Sequence, residues 1–190
     1  MKPSLFFVIT MSFQFAQALT EIKTVPTAGR IQFEAVGRPS MIKIKGEGEG
    51  ASSSLQLNQN KISGEFLFKL ESLKTGIDLR DEHMKEKYLQ IKNNPVARLT
   101  FTNFQLPAGW TLQNAALTGA PFRAKLFLHG IEREIAGVFN IESAQLKSSA
   151  QFEIQLSDFK IDIPNYLGVK VADSVKINVS FDKMNLAQKN

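Results

Sequence analysis

The one compact polar constellation in the chain is Arg80-Asp81-Glu82-His83. An aspartate two residues from a histidine could orient the imidazole for proton transfer if both faced one cleft. Near a helix start, the simpler role is a cap with surface hydrogen bonds. The second histidine, His129, stands beside Gly130 and reads as a hairpin-turn residue. No nucleophile can be paired with either histidine. The chain has no cysteine, which excludes disulfides, thiol catalysis, cysteine-ligated metal and a lipid-modified N-terminal cysteine together. There is no H-E-x-x-H or His-rich tract for zinc or iron, and no G-x-S-x-G elbow, kinase set or dinucleotide fingerprint. The expectation is a protein with no catalytic residue, no metal and no cofactor, whose work is binding.

The elements that would position these residues are strands. At 190 residues, 43% hydrophobic and 22% charged, the chain has the size and composition of one folded domain. Its net charge of +5 is spread singly, without the basic runs of a nucleic-acid binder, so no nucleic-acid partner is expected. Apolar residues recur with a period of two, the mark of strands with one buried face. Ile31, Phe33 and Ala35 share one parity, as do Ile62, Phe66, Phe68 and Leu70, and Leu99 with Phe101. The same holds for Phe122 to Leu128, for Ala150, Phe152, Ile154 and Leu156, and for Val175, Ile177, Val179 and Phe181. Turn signals such as Asn58-Gln59-Asn60, Pro107-Ala108-Gly109 and His129-Gly130 separate them. Many short strands with one wet face imply a sandwich or a barrel.

Two segments break the rhythm. Asp78 to Gln90 is rich in helix formers, with Asp78 as N-cap and Leu79, Met84, Tyr88 and Ile91 near one face, and Pro95 ends it. Gly46, Gly48 and Gly50 keep the inward parity of Ile42 and Ile44. They mark either a bent strand or barrel corner, or lumen volume left free for a ligand.

The N-terminus carries an export pattern. Lys2 precedes a largely apolar run from Leu5 to Phe15, and Ala16-Gln17-Ala18 offers small residues where a signal peptidase reads. Cleavage is expected after Ala18, leaving 19–190 as a single domain outside the inner membrane. The run is short for a spanning helix, which needs about 20 apolar residues.

Three ordered blocks carry a resemblance. Ser72-Leu73-Lys74-Thr75-Gly76 is followed by Arg80-Asp81-x-His83-Met84 and by Pro95 before Leu99-Thr100-Phe101. Leu126-Phe127-Leu128-His129-Gly130-Ile131 comes next, then Ser157-Asp158-Phe159-Lys160-Ile161 with Val171-Ala172-Asp173-Ser174-Val175-Lys176-Ile177. In order and spacing, from about Gly29 to Met184, the chain resembles the YceI-like family. It departs at Lys160, where the family commonly has Gly after Asp-Phe, and at Leu156, which precedes Ser157-Asp158 with no Arg nearby. The resemblance implies an all-β fold, an antiparallel eight-stranded lipocalin-like barrel with a short helical lid segment, and residence in the periplasm. It also implies an elongated apolar lumen for isoprenoid chains, quinone tails or other long-chain amphiphiles.

The expected function is therefore a periplasmic binder or carrier of a long-chain lipid. Inward parity nominates Phe33, Phe66, Phe68, Phe101, Phe152, Ile154 and Phe181 as lining residues, with Arg80 and His83 as head-group contacts at the lid. The alternative is a barrel filled by its own phenylalanines that acts as an envelope or stress-related interaction module. Lys85, Lys87, Lys92 and Arg98 suggest a transient contact with an anionic membrane surface, although a solvated helix face accounts for them as well. The sequence fixes no oligomeric state, and a dimer is compatible with it.

Overall fold

A computed structural model describes residues 19–24, 29–38, 42–111, 116–142, 146–166 and 169–189. The expected leader and its cleavage point after Ala18 lie outside these residues. The described chain forms strands β1 (Leu19–Thr24), β2 (Gly29–Arg38), β3 (Ile42–Asn58), β4 (Lys61–Lys69), β5 (Val96–Gln105) and β6 (Leu117–Leu128). Strands β7 (Ile131–Glu142), β8 (Lys147–Gln155), β9 (Asn165–Tyr166), β10 (Val169–Phe181) and β11 (Met184–Lys189) follow. Among the described residues a single α-helix, α1 (Asp78–Glu82), continues into a wider π turn at His83–Tyr88.

Hydrogen bonding runs β3-β2-β10-β8-β7-β6-β5-β4, and β4 returns to β3, so eight antiparallel strands close a barrel. Closure settles the choice between sandwich and barrel. The long β3 makes this possible. Its first part pairs with β2 and its last part with β1, which in turn pairs with β11, so the barrel wall is extended at one end. The switch occurs at Gly50, which adopts φ +86° where the β2–β3 register slips between Gly29 and Arg30. A bulge with a left-handed glycine bends a strand in this way.

Two hairpins set the register. Asn58 faces Lys61 across Gln59-Asn60, and Leu128 faces Ile131 across His129-Gly130, each loop holding both residues at positive φ. Such two-residue turns match the twist of the strands they join.

The end of the barrel where β4 gives way to β5 is covered by residues 70–95. That segment is tied at its base by Leu70 N–H to the Pro95 carbonyl, 2.9 Å, and to β3 by a reciprocal Glu47–Lys74 backbone pair at 2.8 Å. The segment is helical in part, as its composition implies, but Asp78 is not the cap. Ile77 holds the cap position without a side-chain hydrogen bond, and Asp81 is the carboxylate that reaches back to the preceding loop. The π turn also rotates the apolar face: Met84, Tyr88, Leu89 and Ile91 pack on the core, whereas Leu79 is left exposed. The opposite end is shut by Leu106 and Trp110, which are 1% and 9% exposed and packed against Ile62, Phe104, Phe139 and Ile141.

Candidate functional site: an apolar lumen with a polar clasp

The barrel encloses a cavity of about 630 Å³, within the span of about 300–1,000 Å³ typical of small-molecule sites. Each of the eight barrel strands contributes inward apolar side chains to its wall. All nine residues nominated from the sequence lie on this one surface. Phe33 comes from β2, Phe66 and Phe68 from β4, Phe101 from β5, Phe152 and Ile154 from β8, and Phe181 from β10. Arg80 and His83 reach it from α1 and the π turn at the covered end.

Several phenylalanine rings of the lumen lie over glycines on the neighbouring strand. A Cβ at Gly46 would fall 2.3 Å from the Phe33 ring, and one at Gly137 would fall 2.8 Å from the Phe122 ring. Both glycines are the direct cross-strand partners of those phenylalanines. Phe68 lies similarly over Gly48. The bend reading of this stretch therefore holds at Gly50, whereas the space of the missing side chains at 46 and 48 is taken by Phe33, Phe68, Ser72 and Lys74 instead of being left free in the lumen. Aromatic cover of a strand glycine is a known way to fill the gap its missing side chain leaves.

The polar groups of the covered end form a small clasp. Asp81 Oδ1 accepts from the Thr75 backbone N–H at 2.7 Å and also from the Thr75 hydroxyl. The Arg80 guanidinium donates from Nε to Thr75 Oγ1 at 2.8 Å and from Nη2 to the Thr75 carbonyl at 3.0 Å. Thr75, Arg80 and His83 all line the cavity. A guanidinium has five N–H donors, so two bonds to Thr75 hold Arg80 in place and leave donors for a ligand head group. Asp81 is thus engaged with Thr75 through both the backbone and the side chain of that threonine. Among the described residues no cluster of His, Asp and Glu has the makings of a metal site.

Of the four large apolar side chains exposed among the described residues, three line this end of the cavity: Ile42, Ile77 and Leu79, at 50%, 53% and 49% exposure. Apolar residues gathered on a rim in this way differ from the single ones scattered over any surface.

A model of the YceI-like domain matches residues 22–182. The chain belongs to the YceI-like family. Solved structures with the same fold include a polyisoprenoid binding domain from Saccharophagus degradans, at 14% identity and TM-score 0.58, covering 88% of this chain and 98% of that one. BcnA from Burkholderia cenocepacia is similar at 16% identity and TM-score 0.59, covering 84% and 96%. A Campylobacter jejuni YCEI protein aligns at 14% identity and TM-score 0.54, covering 100% and 99%. No curated protein sequence matches this chain.

The YceI-like blocks of the sequence turn out to be joints of the frame around this end. His129 forms the β6–β7 turn at φ +51°, and its Nδ1 lies 2.9 Å from the Phe159 carbonyl. Ser157 donates its backbone N–H to Asp173 Oδ1 at 2.8 Å and its hydroxyl to Oδ2. These bonds, the side-chain one foremost, lower the Asp173 pKa below its ordinary value. Phe159, 1% exposed, pins the short 3-10 turn Leu156–Phe159 into the core. Lys160, where the family commonly has glycine, sits at φ +52° in the left-handed region, which explains the family preference.

Strand parity missed other wall residues for identifiable reasons. Phe104 is out of step with Leu99 and Phe101 because Asn103, at φ +51°, marks a slip in the β4–β5 register. Trp110 comes from a loop, where parity has no meaning. Thr75, the anchor of the clasp, is revealed only by its three-dimensional contacts.

Proposed function

We propose that this YceI-like protein binds and carries a long-chain apolar lipid, such as a polyisoprenoid or a quinone, rather than catalysing a reaction. The observation that carries the reading is the apolar lumen, with charged side chains on its lining at the covered end. Each methylene moved from water onto such a wall contributes about 0.8 kcal/mol, so a long chain binds well with few polar contacts. Arg80, with His83 beside it on the wall, would meet the ligand's polar end. The solved Saccharophagus degradans relative is described as a polyisoprenoid binding domain, which supports the same ligand class for this chain.

The reading includes export by the N-terminal leader to the periplasm, where such ligands would be met at a membrane. The exposed Ile42, Ile77 and Leu79 suit transient contact of the mouth with a lipid surface. Of the four cations expected to support it, Lys85 is paired with Glu71 and Arg98 with Glu65. The apolar rim is therefore the stronger part of that contact. Native mass spectrometry of the mature protein from its own envelope, followed by denaturing extraction, tests the carrier reading. A stoichiometric prenyl or acyl species is expected. A clean apo mass with no uptake of added quinones or polyprenols would leave the interaction module as the better account.

A further inference from the structure

We propose that a bridge of phenylalanine rings across the lumen sets the length of lipid chain that this barrel accepts, an inference that rests on the carrier reading. Phe66 on β4 and Phe181 on β10 belong to strands separated in the ring by β3 and β2. Their ring centroids are nevertheless only 5.4 Å apart, so this contact spans the lumen instead of following adjacent strands. Phe66 then meets Phe101 at 5.9 Å, Phe101 meets Phe122 at 5.5 Å, and Phe122 meets Phe152 at 6.3 Å. The row runs from β10 through β4, β5 and β6 to β8.

Cavity-lining residues occur on both sides of this row. Ile44 and Met84 belong to the mouth, and Ile62 and Trp110 to the shut end. A chain entering tail-first from the Arg80 end therefore meets the bridge before it can reach Trp110. The two central rings differ in freedom. Phe181 is 3% exposed and its ring lies against Gly29, whereas Phe66 is only partly buried and faces cavity space. Phe66 is the member that decides whether the far chamber is reached.

The chain contains a single tryptophan, Trp110, placed where it reports on the far chamber. The test is a titration of the mature protein with all-trans prenols from geraniol up to decaprenol, following both affinity and Trp110 emission. In the wild type, affinity should rise by at least about tenfold for each isoprene unit that comes under the wall. It should then level off, with Trp110 emission unchanged. In Phe66→Leu, checked for folding by circular dichroism, affinity should go on rising for longer prenols, and Trp110 emission should shift as they bind. Phe33→Leu, on the mouth side, should weaken all lengths and leave the break where it was. The inference is overturned if the break stays at the same length in Phe66→Leu with Trp110 silent, or if Trp110 already responds to short prenols in the wild type. Failure of the wild type to bind any prenol would instead remove the carrier reading, and this inference with it.

Discussion

The two ends of the barrel are built on opposite principles. The far end is closed by packing: Leu106 and Trp110 are almost wholly buried among residues of β4, β5 and β7. The covered end is closed by a segment rooted in the core by Leu70 and Leu73, with Met84, Tyr88, Leu89 and Ile91 packed against it, but it leaves Ile42, Ile77 and Leu79 facing solvent. Dense apolar packing gives high local stability, and side chains left half exposed at a rim add little to it. The difference teaches that the entry point of a lumen can be recognised by which end leaves large apolar side chains exposed.

Substitutions should break the two ends unequally. Leu106→Ala removes a side chain that has almost no exposure, and a loss of about 2–5 kcal/mol is expected in denaturant unfolding. Leu79→Ala at the mouth should cost less than about 0.5 kcal/mol while slowing ligand uptake from vesicles. Equal stability losses at the two sites would contradict the comparison.

Gly137→Ala tests the middle of the wall, where a Cβ would fall 2.4 Å from the Gln151 carbonyl as well as against the Phe122 ring. A loss of about 1–3 kcal/mol is expected, together with reduced ligand capacity, because the ring is pushed into the lumen. Lys160→Gly should stabilise the mouth by about 0.5–1 kcal/mol, since it relieves a left-handed lysine at some cost in chain entropy.

The smallest effect concerns acid. The Asp173 carboxylate is held at a lowered pKa by Ser157, its side-chain bond first. Its contribution to stability is thus fully present above the ordinary carboxylate range, near about 3.9, and fades as pH falls through the folded-state value. Asp173→Asn should flatten the acid limb of a stability–pH curve and leave its neutral region little changed in slope. An unchanged acid limb would mean that the Ser157 contact is already lost in solution.

How far this arrangement could be read beforehand follows from the physics of each element. Strand parity found the seven apolar nominees because alternation is a local property, and all seven reach the wall. It failed at Phe104, where a bulge at Asn103 reverses the parity beyond it. Closure of the ring depends on β10 meeting β2, a pairing between distant parts of the chain that no local pattern carries. It was accessible only through family resemblance. The helical segment was legible as helical. Its widening into a π turn was not, nor was the exchange of Asp78 for Asp81 as the residue that ties the loop.

The continuous hydrogen-bond ring also has a kinetic consequence. Every barrel strand pairs with both of its neighbours, β5 and β6 through three residue pairs, so on the carrier reading a chain lodged along the lumen leaves by withdrawing along its own length past the Arg80 clasp. Residence time should then grow with tail length more steeply than association slows. A partner that lifts residues 70–95 would discharge the cargo by changing the off-rate alone, without competing for any contact inside the lumen.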